Sequence, residues 1–578
     1  MGKVLFNNDE QPRQSALPDI GSAERPVRSA CLDYRAASFH AGHVEEGILD
    51  DVKSLGFNAI ELQVEGDTLE GWERLRSSQE WRRLTQWCRE NQMDIALWTH
   101  ELSSFDPAAV GTVSLDNHAL WGSLAARYRR ACRELFPEVR YFVLTVVESQ
   151  MNVTERQVLQ RLVEVLDNAV RVEGRQLIFR PFVWHPWELE EVAAALDKMP
   201  PEVAIHNKYV PQDWHFRSID NRLVGGFPGR REIVEYGIAG EYMRERHLAS
   251  FVADELFARQ QRWLESGING VSVRVNRFAR GDGCSNSAFF SLQECNLWAM
   301  MPTVCGLATT PEQGLLAYAE HRFGQGAAPA VADALLTTGK VNREALCVEG
   351  ETFGDPRAAV PALATLQIGK TVERFKSHWM RGVIIPEDTN IPMAPFVPYE
   401  EVEDFVHRNP FFSNWSSWRW DKSLKPAYEA MRRGEPSVIG RKQASYAAAR
   451  QMAVESLAAV EQAQNRFDDP EAYRFLHWRL GENLWHLDAM CNCALAWLNA
   501  ARCLYTADVA ERDARRRAVL AALSEIERLH CKASVESATI AWRGQSSEVR
   551  RGEYLRLDEF VRLFHSAWER AGVLSSQA

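Results

Sequence analysis

Between Arg175 and Leu248, three apolar runs each break off into residues suited to acid–base chemistry or charge recognition. The run from Gln176 to Val183 ends in Trp184 and His185. The run from Val203 ends in His206, Asn207 and Lys208, with Asp213 beyond. The run from Glu232 to Ile238 is followed by Glu241, Tyr242, Arg246 and His247. Carboxyl groups beside aromatic rings suit work on a sugar. One carboxyl, kept protonated, donates to the leaving oxygen, and a second activates water or attacks the sugar carbon. Asp213, Glu241 and Asp282 are the candidate catalytic acids, and Glu148 is a further acid on the same rim. A single strand-end carboxylate is as readily a partner for a loop amide or an arginine. Four on one rim repel each other and call for another reason.

The remaining candidates would bind substrate. Trp184 is placed to stack on a sugar ring, although Trp184-His-Pro-Trp187 also reads as a turn into a helix with Pro186 at its start. His185, His206, Asn207, Lys208, Tyr242, Arg246 and His247 offer hydrogen bonds and positive charge. His100, Glu101, Glu148, His185, His206 and Asp213 are ligand types of metal-dependent sugar isomerases, but no His-x-His or His-Glu-x-x-His spacing occurs. No metal and no cofactor is therefore expected. The alternatives to a hydrolase are a metal-dependent isomerase or lyase on the same scaffold, and a non-catalytic sugar-binding barrel.

Short strands alternating with amphipathic helices must position these groups. Strands are expected at about 29–34, 59–64, 94–99, 141–147, 176–183, 203–206, 232–238 and 270–275. Helices are expected at about 45–55, 78–91, 120–135, 154–172, 187–198 and 251–266. Eight strands separated by helices favour an α/β fold of the closed (β/α)8 TIM-barrel kind, with the polar clusters at the carboxyl ends of the strands. On that reading the first strand presents Asp33 and Arg35 at the same mouth. No Gly-x-Gly-x-x-Gly follows the first strand, which argues against a dinucleotide fold. The expected organisation is an arm over 1–27, the barrel over 28–325, a mixed extension over 326–438 packing on the barrel, and a C-terminal α-helical domain over 439–578. That last region has few Gly or Pro and reads as nearly all helix.

These motifs resemble the α-glucuronidases of glycoside hydrolase family 67. The run Phe179-Arg-Pro-Phe-Val-Trp184 is similar to the family's Trp-Arg-Ala-Phe-Val-Tyr. Ile205-His-Asn-Lys-Tyr209 followed by Asp213 is similar to its Val-Lys-Asn-Gly-Pro and the acid beyond. Val234-Glu-Tyr-Gly-Ile-Ala-Gly-Glu-Tyr242, then Arg246-His-Leu248, resembles Leu-Glu-Phe-Gln-Ile-Thr-Gln-Glu-Tyr and Arg-His-Leu. Phe142 to Ser149 and Asn296-Leu-Trp-Ala299 resemble the family's Asn-Ser-Glu-Gly strand and Asn-Trp-Tyr-Ala element. The likeness spans about 30–325 and lacks the family's N-terminal β-rich domain. His206 stands where the family has Lys, and Asp282 lies two positions from Cys284, where the family has Asp. The resemblance implies a barrel followed by helices, and inverting hydrolysis of a bond from a uronic acid without a cofactor.

Composition sets the outer bounds. The chain has 578 residues, 46% hydrophobic and 25% charged, as in soluble globular proteins, and is long enough for more than one core. A net charge of −11 provides no global field for nucleic acid. The eleven cysteines are scattered and read as reduced thiols rather than a disulfide frame. No stretch has the length of a membrane span or a signal peptide, so a cytoplasmic location and no membrane partner are expected. The expected partner is a small oligosaccharide, and the helical C-terminal region could serve as a homodimer surface.

Overall fold

In the computed structural model, the residues described are 32–40, 44, 47–64, 69–101, 113–146, 156–181, 186–209, 221, 223–238, 248–276, 287–349, 351–352, 425–552 and 557–570. Eight parallel strands close into a barrel in chain order: β1 (Tyr34–His40), β2 (Ala59–Gln63), β3 (Asp94–His100), β4 (Tyr141–Thr145), β5 (Gln176–Arg180), β6 (Ala204–Lys208), β7 (Glu232–Gly237) and β8 (Gly270–Arg274), with β8 pairing back onto β1. Around them lie α1 (Leu49–Ser54), α2 (Leu69–Ser77), α3 (Gln79–Asn91), α4 (His118–Arg130), α5 (Arg156–Arg171), α6 (Pro186–Leu196) and α7 (Ala253–Glu265). The fold is a (β/α)8 TIM barrel.

Strand side chains alternate between two faces, so each strand supplies two cores. Ile60, Leu62, Leu97, Phe142, Leu144, Phe179, Ile205, Val234 and Tyr236 face outward and pack against the helices. Tyr34, Ala36, Ala59, Ala96, Trp98, Tyr141, Val143, Ile178, Ala204 and Ile233 fill the lumen. Gly270 is required by this filling, because a Cβ there would lie 2.8 Å from the Tyr34 Cβ. Helix starts are set by short polar side chains: Ser78 Oγ accepts from the Trp81 N–H at the head of α3, and Asn117 Oδ1 from the Leu120 N–H at the head of α4.

The first strand differs from expectation. It runs Tyr34–His40 rather than 29–34, so Asp33 and Arg35 sit at its amino end, away from the mouth. Arg35 is spent there on the Gly56 and Leu32 carbonyls.

Beyond the barrel come α8 (Glu294–Val304), α9 (Pro311–Phe323), α10 (Ala328–Leu346) and a short pair β9 (Cys347–Val348) and β10 (Glu351–Thr352). The C-terminal region holds α11 (Lys425–Arg432), α12 (Pro436–Gln462), α13 (Pro470–Tyr505), α14 (Val509–Val535), β11 (Ser537–Trp542), β12 (Gln545–Arg550) and α15 (Leu557–Arg570). Asp469 and Asp508 cap α13 and α14 by accepting from backbone N–H groups. A second core, built from Trp485, Leu487, Met490, Leu498, Ile526, Phe560 and Phe564 among others, holds these helices together.

The β11–β12 hairpin was not expected in this largely helical region. Its turn residues Arg543 and Gly544 both have positive φ, 51° and 78°, as a tight two-residue hairpin turn demands. Trp542 stacks on Phe475 of α13 and Phe323 of α9. Arg543 pairs with Asp51 of α1 and donates to the Phe289 carbonyl at 2.9 Å, tying the C-terminal region to the barrel where β8 meets β1. Among the described residues, no helix is long and apolar enough to cross a membrane.

Candidate active site

The lumen changes character along its axis. At the amino end it is lined by Tyr34, Ala36, Ala59, Ala96, Tyr141, Ile178, Ala204 and Ile233. Two residues further along each strand, the inward positions become Ser38, Glu61, Trp98, Thr145, Arg180, His206, Glu235, Ser272 and Arg274, all buried. Gln63, Lys208 and Asn276 carry the polar lining further toward the carboxyl ends. Strands buried on both faces are expected to be apolar. Charges there cost several kcal/mol each unless paired, by order of magnitude, so their concentration at one end singles out the carboxyl mouth as the candidate site.

The pairing is dense. Arg180 Nε donates to Glu235 Oε2 at 2.6 Å and Arg274 Nη2 to Glu235 Oε1 at 3.0 Å. Both guanidinium groups also lie over the Trp98 ring, 4.5 and 5.3 Å from its centroid. Trp98 Nε1 donates to Thr145 Oγ1 at 3.0 Å. His206 stands between two carboxylates, its Nε2 3.4 Å from Glu61 Oε1 and its Nδ1 3.6 Å from Glu235 Oε2. Glu61 also accepts from the Tyr34 hydroxyl at 2.7 Å and the Ser272 hydroxyl at 2.8 Å.

Burial pushes both carboxyl groups up, but their partners outweigh it. His206, Tyr34 and Ser272 hold Glu61 below the ordinary range. Arg180, Arg274 and His206 hold Glu235 well below it. Burial and the neighbouring Glu61 charge push the Tyr34 phenol well up, so it stays a donor. This network is a fixed, charged floor beneath the barrel mouth.

The structure distributes the sequence candidates unevenly. His206 lies in the floor, with no exposed surface. Lys208 is the last residue of β6 and 2% exposed, in register with Glu235. Asn207 does not join them. One position along a strand reverses the face, and its Nδ2 donates outward to Glu232 Oε1 at 2.7 Å and the Leu223 carbonyl at 3.2 Å. Glu101 is likewise committed, to Arg127 and to the Tyr128 hydroxyl at 2.7 Å. Asp213, Glu241, Asp282, Glu148, Trp184, His185, Tyr242, Arg246 and His247 lie outside the described residues. Among the described residues, no group of three or more His, Cys, Asp or Glu is placed to hold a metal ion. The floor residues Glu61, Arg180, Glu235 and Arg274 lie within the strands rather than beyond their ends, where the sequence candidates cluster. Their signal is a charged residue at an inward-facing position of an otherwise apolar strand.

Glu232, on the outer face of β7, gives a pH-dependent expectation. Burial pushes its carboxyl from the ordinary 4.5 up to about 7, against donors from Gly225 and Asn207. Between these two values the folded chain retains a proton that the unfolded chain has lost, so this group makes stability fall as pH rises across the window. Above it the cost is complete, on the order of 3 kcal/mol for a shift of this size. Glu232→Gln, which keeps the acceptor oxygen, should therefore stabilise the protein more at pH 8 than at pH 5. Urea midpoints of both proteins at the two pH values check this. An equal gap at both would mean that Glu232 ionises normally.

No protein-family model matches the sequence, and no curated protein matches it. Among solved structures, the chain is similar to that of CpGH84B, at 12% identity and a TM-score of 0.38, over 92% of this chain and 77% of that one. It is also similar to a sugar phosphate isomerase/epimerase from Parabacteroides distasonis, at 11% identity and a TM-score of 0.31, over 48% of this chain and 100% of that one. A third is the glycoside hydrolase family 30 subfamily 8 xylanase Xyn30A from Clostridium acetobutylicum, at 11% identity and a TM-score of 0.31, over 48% of this chain and 70% of that one. Likenesses this distant bear on neither substrate nor mechanism.

Proposed function

We propose that this chain is a glycoside hydrolase acting at the carboxyl mouth of its barrel on a short oligosaccharide that carries a uronic acid. The observation that carries the reading is the switch in the lumen from apolar lining to a paired floor of Arg180, Arg274, Glu235, His206 and Glu61. Such a floor gives groups above it a rigid, low-dielectric base, which strengthens electrostatic recognition. Asp213, Glu241 and Asp282 follow β6, β7 and β8, three adjacent strands, and supply the acid and base. Glu148, Trp184, His185, Tyr242 and His247 complete the substrate wall. Arg246 and Lys208 hold the sugar carboxylate, since a desolvated carboxylate needs a cation, ideally a forked one.

The test is a screen with aryl glucuronides and the matching aryl glucosides. Arg246→Ala should cost roughly 10-fold or more kcat/KM on a glucuronide beyond its cost on the glucoside, because only the former loses an ion pair. Equal losses on both would remove the uronic acid and leave the glycosidase. No turnover of any glycoside in the screen would sink the reading as a whole.

A further inference from the structure

Where the chain leaves β6 and where it returns toward β7, the two ends are stitched together. The Asn221 backbone N–H donates to the Tyr209 carbonyl at 2.9 Å, and its Nδ2 to the Lys208 carbonyl at 3.0 Å. Its Oδ1 accepts from the Leu223 N–H at 3.0 Å. The segment entered at Leu223 is held in turn by Asn207 and by Glu232 Oε1, which accepts from the Gly225 N–H at 2.8 Å. On the other side, the Tyr209 N–H donates to the Glu235 carbonyl at 3.1 Å, continuing the β6–β7 ladder past Lys208. Asn221 is 3% exposed and uses its backbone N–H and both side-chain polar atoms at this junction.

We propose that Asn221 is a positioning residue for Lys208. Lysine is a point charge on a flexible four-carbon stem, so its placement depends on where its backbone is held. The Lys208 carbonyl is fixed by the Asn221 amide at the point where the strand ends. Resting on the uronic-acid reading above, this makes Asn221 part of what lets the site tell an anionic sugar from a neutral one, although it touches neither. A misplacement of about 1 Å at a positioning group costs up to roughly 100-fold in rate. A loosened Lys208 should thus cost roughly 10-fold on an anionic substrate.

Two measurements test this on the full chain. The first needs no substrate. Reductive methylation by formaldehyde and a borane, read by peptide mass spectrometry, should label Lys208 faster in Asn221→Ala than in wild type, while exposed Lys53 and Lys198 are labelled alike in both. An unchanged Lys208 rate overturns the proposal.

The second is a double-mutant cycle on the glucuronide-to-glucoside ratio of kcat/KM. Asn221→Ala and Lys208→Met should each lower the ratio, and the double variant should be no worse than Lys208→Met. Asn221→Asp, which keeps the acceptor for Leu223 but not the donor to Lys208, should behave like the alanine variant. Additive losses, or a fall in stability with the ratio unchanged, would make Asn221 merely structural and overturn the proposal. A Lys208→Met variant with an unaltered ratio would instead remove Lys208 from the uronic-acid reading.

Discussion

Glu235→Ala is expected to destabilise the protein by about 3–5 kcal/mol, the range seen when one partner of a buried ion pair is removed. Glu235 has no exposed surface and takes Arg180 at 2.6 Å, Arg274 at 3.0 Å and His206 at 3.6 Å. Its loss leaves two guanidinium groups over Trp98 without their shared carboxylate, inside a buried lumen. Glu235→Gln keeps the volume but not the charge, and should fall between alanine and wild type. Arg140→Ala is the contrast. Its pair with Asp94 is 2.9 Å but half exposed, and a pair of that kind is worth about 0–1 kcal/mol.

The sign with pH follows from the depressed Glu235 carboxyl. Its stabilisation is complete above the ordinary 4.5 and is lost as pH falls below that value toward the folded-state one. The gap between wild type and either Glu235 variant should therefore narrow below pH 4.5. Urea midpoints for the three proteins and for Arg140→Ala measure both effects. A Glu235→Ala midpoint no lower than that of Arg140→Ala would show that the floor is not held by this carboxylate.

The barrel was legible in the sequence because most of its strands open as short apolar runs and alternate with helices of amphipathic period. The first strand slid because residues 29–34 are as apolar as Ala36-Ala-Ser-Phe39, and only pairing with Ala59 and Gly270 fixes which run enters the barrel. The C-terminal hairpin was hidden by its helical neighbours. Its alternation in Ser537–Trp542 spans a single short strand, and the Arg543-Gly544 turn is a weaker signal than Asn-Gly. The floor was written in the strands themselves. Glu61, Arg180, Glu235 and Arg274 are charged residues inside runs that are otherwise buried, a pattern that makes sense only if the lumen is polar at one end. What sequence could not give is partnership. Neighbouring residues His206 and Asn207 look equally suited to a ligand, yet the pleat sends one into the lumen and the other to the Glu232 carboxylate outside.

The decisive kinetic result concerns Glu241. Glu241→Gln keeps shape and hydrogen-bonding capacity but cannot exchange a proton, and kcat should drop by roughly 100-fold or more. The reason lies in the order of the strands. β6, β7 and β8 are neighbours, ending at Lys208, Gly237 and Arg274, and Asp213, Glu241 and Asp282 follow those ends. Inverting glycosidases hold their two carboxyl groups about 6.5–9.5 Å apart so that water fits between them, and inversion is the outcome that the resemblance to family 67 implies. The narrower gap of about 5–5.5 Å would give retention instead. Proton NMR of the first sugar released reads the outcome directly, and inversion is expected. The urea midpoint of Glu241→Gln should match that of wild type, separating loss of chemistry from loss of fold. Turnover near the wild-type value on a substrate that the wild type cleaves would remove Glu241 from the mechanism and leave Asp213 and Asp282 as the pair to test.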